Sequence, residues 1–185
     1  MVAALSISGY FCFLPFKKNM QAKQWILSLL FVAGSFWAAA QSPDTPAYKK
    51  NPTIPQISLM LIDSSSITLD NSKQQPTLIM YFSPTCDHCQ HQWEDMVKHK
   101  DQLKHIQIVM ATFQPYEEMA DFYKKEKIDS YPNIKMGRDE KFALPGFYRI
   151  RSLPYQALYD KNGHLITTFE GNVKIEKLLE AFGGK

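Results

Sequence analysis

Two cysteines separated by two residues, in the segment Cys86-Asp87-His88-Cys89, are the first feature of this sequence that could do chemistry. Thiolates attack disulfide sulfurs and also bind soft metal ions, so such a pair can exchange disulfides or hold a metal. The only other cysteine of the 185-residue chain, Cys12, lies in an apolar leader. A disulfide between neighbours this close would constrain the unfolded chain little, which argues against a purely structural bond.

The pair lies where a predicted strand gives way to a predicted helix. Residues 77–82 are nearly all apolar, as in a strand buried on both faces, and Ser83-Pro84-Thr85 breaks this run. The next apolar residues share one helical face, and four polar residues are assigned to the other faces. The apolar set is Cys89, Trp93, Met96 and Val97, and the polar set is Gln92, Glu94, Lys98 and Lys100.

A helix start favours an anion, because its first N–H groups lack partners. We therefore predict that Cys86 is the nucleophile and that Cys89, one turn later and less exposed, resolves the mixed disulfide. His88, when protonated, would stabilise the Cys86 thiolate, whereas the negative charge of Asp87 would oppose it. Both are candidates for tuning the dithiol, and both are also ordinary residues for an exposed helix start.

The remaining pattern alternates strands and helices in the order β-α-β-α-β-β-α, after an initial strand or hairpin. Strands are predicted at 57–62, continued by 67–69, and at 77–82, 106–113, 155–160 and 165–170. Helices are predicted from Cys86, from Pro115 with an apolar stripe of Tyr116, Met119, Ala120 and Tyr123, and from Gly171 with Asn172 as N-cap. Asn162-Gly163 predicts a hairpin between the last two strands. The order predicts an α/β fold: a central mixed sheet with helices on both faces and an N-terminal strand or hairpin extension.

Two segments have no clear pattern. Residues 128–154 read as a long aromatic connection, which either borders a substrate groove or packs as an extra strand or helix edge. Within it, residues 138–141 read as a solvated turn. Residues 41–56 contain four prolines among polar residues, which predicts a linker or an extended lead-in and not a helix.

The segment from Met80 to Cys89 resembles the active-site segment of thioredoxin-like proteins, in particular the exported redoxin branch of thiol–disulfide oxidoreductases. Arg151-Ser152-Leu153-Pro154 with the following hairpin is similar to the cis-proline loop of that family. The resemblance implies a thioredoxin fold over residues 57–185. It also implies a cis Pro154 that places the Leu153 backbone beside the cysteines for pairing with an extended substrate. Protein thiols or disulfides would be the substrates, a membrane-bound electron donor or acceptor the partner, and no cofactor is implied.

The sequence departs from the family pattern next to the cysteines. Thr85 stands where the family commonly has Trp. Members often carry a buried acid at one of two places, which here hold Met80 and Gln92. The usual proton acceptor for the second thiol is therefore absent or supplied elsewhere.

Residues 1–40 read as a leader with a signal peptide. Lys17, Lys18 and Lys23 precede a short apolar stretch, and cleavage is predicted near Ala40–Gln41. The extra apolar piece before Met20 indicates that translation starts at that methionine. The leader predicts a periplasmic or secreted protein, or an N-terminally anchored one where the leader is retained.

Charge gives no reason to expect nucleic-acid binding. The formal net charge is +3, but the three leader lysines account for it, and 18 basic and 18 acidic residues remain. Two alternatives to exchange stay open. One is a copper or zinc module using Cys86, His88, Cys89 and His91, although a helix start would splay these side chains apart. The other is a redox-inert adaptor on the same scaffold.

Overall fold

The computed structural model describes residues 45–184, and the predicted leader and its cleavage site lie outside them. Seven strands form one sheet: β1 Ser58–Leu61, β2 Ser66–Thr68, β3 Thr77–Tyr81, β4 Gln107–Thr112, β5 Ile134–Arg138, β6 Tyr155–Tyr159 and β7 Leu165–Glu170. The helices are α1 Ala47–Lys50, α2 Asp87–Lys98, α3 Lys100–Leu103, α4 Tyr116–Lys125, α5 Ala143–Tyr148 and α6 Ile175–Ala181, with a 3₁₀ turn at Ile128–Ser130.

The strand order is β2-β1-β5-β4-β3-β6-β7. Strands β3, β4 and β5 are parallel, and the other neighbours pair antiparallel. The crossovers β3–α2–β4 and β4–α4–β5 step in the same direction across the sheet. Right-handed connections therefore put α2 and α4 on the same face.

Two apolar cores follow, one on each face of the sheet. The first joins α2, α4 and α6 to the sheet through residues such as Trp93, Phe122 and Leu178. The second joins α1 and α5 to the opposite face and is rich in tyrosine, including Tyr148 and Tyr159. All residues of β3 and β4 are buried, as expected for strands covered on both faces. The predicted mixed sheet, with helices on both faces and an N-terminal hairpin, is confirmed.

Several predicted details are wrong. Residues 66–68 form a second strand paired with β1 instead of continuing it. The predicted linker contains the four-residue helix α1, in which Tyr48 packs on Tyr148 with ring centroids 5.8 Å apart. On α4, Phe122 is buried together with Met119, whereas the predicted stripe omitted it.

The aromatic connection holds two regular elements that the strand-and-helix order omitted. Strand β5 pairs with β4 on one side and β1 on the other, and α5 follows it. Asp139 is not part of a solvated turn: it is 1 % exposed, and its carboxylate accepts from the N–H groups of Ala143 and Leu144 at 3.0 and 2.8 Å. It therefore satisfies two donors at the start of α5, which begins after Phe142 in the left-handed region (φ 51°).

The predicted hairpin between the last two strands is confirmed. Gly163 adopts φ 80°, which a glycine reaches without steric cost, and Asp160 pairs with His164 across the turn. The predicted N-cap of α6 is wrong, because that helix begins at Ile175 after Lys174.

We predict that Asp139→Ala lowers the free energy of unfolding by about 1–2 kcal/mol, because two buried N–H groups lose their acceptor. Urea unfolding followed by circular dichroism measures this. Asp129→Ala is the matched control, since Asp129 is exposed on the 3₁₀ turn. Equal stability of the two variants would contradict the role given to Asp139.

Candidate dithiol site

The two cysteines lie at the start of α2, directly after the carboxyl end of β3. Cys86 occupies the N-cap position with extended backbone angles, φ −89° and ψ 119°, and Asp87 is the first helical residue. The Cys86 N–H donates to the Ser83 carbonyl at 3.2 Å, and its carbonyl accepts from the Gln90 N–H at 3.0 Å. The turn of residues 83–86 therefore fixes the backbone of the first cysteine before the helix begins.

The two thiols differ sharply in exposure. Cys86 is partly exposed, whereas Cys89 is 1 % exposed and belongs to the core between α2 and the sheet. Burial raises the pKa of the Cys89 thiol to about 12, a hydrogen bond from the Ser83 backbone N–H opposes the rise, and a hydrogen bond to Cys86 and the charge of Cys86 add to it. Cys89 therefore keeps its proton at neutral pH, and the partly exposed Cys86 is the sulfur that other molecules can reach.

The loop before β6 lies beside this turn. The Leu153–Pro154 peptide is cis, as the resemblance implied. Tyr81 of β3 pairs with Tyr155 of β6, so continuing the antiparallel register by one residue sets Phe82 opposite Pro154. Leu153 packs against the cores of both faces, which places it at the end of the sheet. The cis peptide and the cysteine turn thus lie at the same end of the sheet, where β3 ends and β6 begins.

Gln92 is not on a polar face of the helix. It is 1 % exposed, its amide N–H donates to the Val173 carbonyl at 3.0 Å, and its amide oxygen accepts from the Val173 N–H at 2.7 Å. The Asn172 side chain donates to the His88 carbonyl at 2.7 Å instead of capping α6. These bonds hold residues 172–173 against the first turns of α2. They use both the nitrogen and the oxygen of the Gln92 amide.

His88 and Asp87 are exposed at the first turn of α2, and His91 is exposed one turn later. Across residues 45–184, no three histidine, cysteine or acidic side chains come together in a way that could hold a metal ion. Within the same range, no helix is both long and apolar enough to cross a membrane. A cavity of about 280 Å³ lies at the amino end of β3, around Thr77 and Gln107, at the other end of the strand from the cysteines.

A family model of the thioredoxin-like domain matches residues 65–183. The chain belongs to this family. The matched range contains the dithiol, the cis proline and all strands from β2 onward. No curated protein sequence matches the chain.

Several solved structures of thioredoxin-like proteins share the fold. One is a secreted disulfide oxidoreductase of Mycobacterium tuberculosis, homologous to DsbE of E. coli, with 13 % identity over 69 % of this chain and 95 % of that chain and a TM-score of 0.58. StoA of Bacillus subtilis has 20 % identity over 69 % and 98 %, with a TM-score of 0.55. The exposed lipoprotein thioredoxin Etrx1 of Streptococcus pneumoniae has 22 % identity over 70 % and 98 %, with a TM-score of 0.56.

Sequence reasoning missed the residues that surround the dithiol. The sequence marks Ser83 only as a strand breaker, whereas its carbonyl accepts from the Cys86 N–H at 3.2 Å and its backbone acts on the Cys89 thiol. Gln114 donates to the Ser83 hydroxyl from the loop after β4, at 3.1 Å. No motif marks such a contact, because it joins residues 31 positions apart.

We predict that iodoacetamide modifies Cys86 long before Cys89 in the folded, reduced protein at neutral pH, because Cys89 is buried and protonated. Mass spectrometry of the labelled peptides measures the two rates separately. Modification of Cys89, studied in a Cys86→Ser variant, should keep accelerating as the pH rises toward the raised pKa of its thiol. In urea the two cysteines should react at comparable rates, and a Cys89 that reacts first in the folded protein would contradict the geometry.

Proposed function

We propose that this protein is an exported thiol–disulfide oxidoreductase that exchanges disulfides with protein thiols through the Cys86–Cys89 pair. The observation that carries the proposal is the asymmetry of the two thiols: Cys86 is partly exposed at a helix start, and Cys89 is buried with a raised pKa. Exchange needs this asymmetry, since one sulfur must be accessible to the substrate and the other must react only after the mixed disulfide has formed.

In the reducing direction, the Cys86 thiolate attacks one sulfur of a substrate disulfide. The Cys86–substrate bond forms, the substrate disulfide breaks, and the departing thiolate takes up a proton. Cys89 then loses its proton and attacks the Cys86 sulfur, which forms the Cys86–Cys89 disulfide and releases the second substrate thiol. Two electrons pass from the protein to the substrate, and the reverse sequence oxidises a substrate dithiol.

Leu153 and Pro154 are proposed to bind the substrate chain. No hydrogen bond joins the backbone of Leu153 to any other residue within 45–184. Its N–H and C=O are therefore free to pair, beside Cys86, with an extended polypeptide that binds as an added strand. The Pro154 carbonyl is already used, because it accepts from the Gly171 N–H at 2.8 Å.

His88 and Asp87 are proposed to tune the dithiol. Both lie in the first turn of α2 next to Cys86 and are exposed to solvent, so they act on an accessible sulfur. A protonated His88 favours the Cys86 thiolate and so stabilises the reduced pair, which makes a stronger oxidant. The Asp87 charge acts in the opposite direction.

Each turnover leaves the pair in the other redox state, so a second thiol–disulfide partner must restore it. We infer that this is a membrane-bound electron donor or acceptor, because the predicted signal peptide directs the chain to the periplasm or out of the cell. The structural likeness to a secreted disulfide oxidoreductase and to an exposed lipoprotein thioredoxin supports this location.

We predict that Cys89→Ser traps the exchange intermediate, since the remaining Cys86 can form a mixed disulfide that no second thiol resolves. With scrambled ribonuclease or insulin as substrate, non-reducing gels should show a covalent complex that dithiothreitol releases. Cys86→Ser is the matched control and should give no complex, because its remaining sulfur is buried. A wild-type protein that reduces neither substrate, with no complex from Cys89→Ser, would favour the redox-inert adaptor instead.

A further inference from the structure

Ser83 lies in the turn between β3 and α2 and bonds to both cysteines through its backbone. Its carbonyl accepts from the Cys86 N–H at 3.2 Å. A hydrogen bond from the Ser83 backbone also lowers the pKa of the Cys89 thiol, which places the Ser83 N–H toward that sulfur. The same peptide segment therefore sets the position of the attacking cysteine and supplies a donor to the resolving one.

The side chain of Ser83 is fixed by Gln114. Ser83 is 6 % exposed, and its hydroxyl oxygen is 3.1 Å from the Gln114 amide nitrogen and 3.2 Å from the Thr85 hydroxyl. An amide nitrogen can only donate, so the Ser83 oxygen accepts from Gln114 and can donate its proton to Thr85. The Ser83 hydroxyl then has a partner both as acceptor and as donor.

Gln114 is itself attached to the sheet. Its N–H donates to the Thr112 hydroxyl at 3.2 Å, and its carbonyl accepts from the Arg138 guanidinium Nε at 2.8 Å. Thr112 and Arg138 are register partners across β4 and β5. A continuous set of hydrogen bonds thus runs from the carboxyl ends of β4 and β5 through Gln114 to Ser83 and the turn that holds Cys86.

We propose that Gln114 is a positioning residue for the second step of exchange: through Ser83 it fixes the peptide N–H that faces the Cys89 sulfur while that sulfur carries negative charge. This inference rests on the proposed function. In that step Cys89 gives up its proton, its thiolate attacks the Cys86 sulfur, and the substrate leaves as a thiolate that takes up a proton. A fixed donor at a charge that develops out of water stabilises that charge more than a mobile one.

The Cys89 sulfur has few other charged groups around it. Cys86 is the titratable neighbour whose charge acts on it, and it carries no charge once joined to the substrate. Asp87 and His88 lie on the same helix but are exposed, and the buried side chain at Gln92 is a neutral amide bonded to Val173. The Ser83 N–H is thus the hydrogen-bond donor to this sulfur in the second step.

Dithionitrobenzoate reports the two steps separately in the reduced protein. Cys86 releases one thionitrobenzoate and keeps the other as a mixed disulfide, and Cys89 then attacks the Cys86 sulfur and releases the second. We expect Gln114→Ala to slow the second release roughly three- to tenfold, the usual effect of losing one hydrogen bond, while the first release is unchanged. Gln114→Met, which is of similar size and lacks the donor, repeats the test should the smaller side chain destabilise the loop.

The matched control is Gln102→Ala, because Gln102 is exposed on α3, and both releases should keep the wild-type rates. Ser83→Ala keeps the N–H but removes the oxygen that Gln114 holds, so it should slow the second release as Gln114→Ala does. The double variant should then be no slower than either single one.

Three results would overturn the inference: an unchanged second release in both Gln114 variants, an equal slowing of both releases, or single effects that multiply in the double variant. Failure of the proposed function has a different signature. In that case the wild-type protein would release both thionitrobenzoates but would not reduce the disulfides of insulin.

Discussion

The burial of Cys89 is the constraint on which the rest of the site depends. It keeps one thiol of the pair protonated and out of contact with water, and it leaves Cys86 as the sulfur that is accessible to other molecules. This burial comes from the fold, because α2 lies over a sheet whose central strands are buried on both faces. A helix that packed less closely would expose both thiols and remove the difference between them.

The segments of the site meet at the carboxyl ends of the parallel strands. Strand β3 ends at the cysteine turn, β4 ends at Thr112 just before Gln114, and β6 begins just after the cis Pro154. These segments are distant in sequence and meet only because the strands are neighbours in the sheet. The Asn172–Val173 segment then closes the other side, through bonds to His88 and Gln92 on α2.

The sequence was sufficient for the features that depend on local pattern. The buried run of β3, the C-x-x-C helix start and the Asn-Gly hairpin each have a short-range signal, and the mixed sheet follows from their order. Strand β5 is not predicted from the sequence because Lys135, Gly137 and Arg138 interrupt an apolar pattern. In the fold Gly137 is needed for close packing, since a Cβ there would lie 2.8 Å from the Leu59 Cβ.

The misassigned polar residues share one cause, which is that tertiary partners decide where they point. Asn172 has the residue type of an N-cap, but its amide bonds to the His88 carbonyl, and α6 begins three residues later. Gln92 and Asp139 are polar side chains with buried backbone partners, so helical periodicity and charge alone assign both to the surface. The contact between Gln114 and Ser83 is of the same kind.

The most direct test of the central claim is the redox equilibrium of the Cys86–Cys89 pair in glutathione buffers, read by mass spectrometry after thiol trapping. We predict that the pair interconverts reversibly between dithiol and disulfide, with a potential between about −270 mV, as in thioredoxin, and about −120 mV, as in strongly oxidising relatives. The proposed exchange through a buried Cys89 and a helix-start Cys86 requires such cycling. A pair that stays in one redox state across all these buffers would contradict the assignment of this site as an exchanging dithiol.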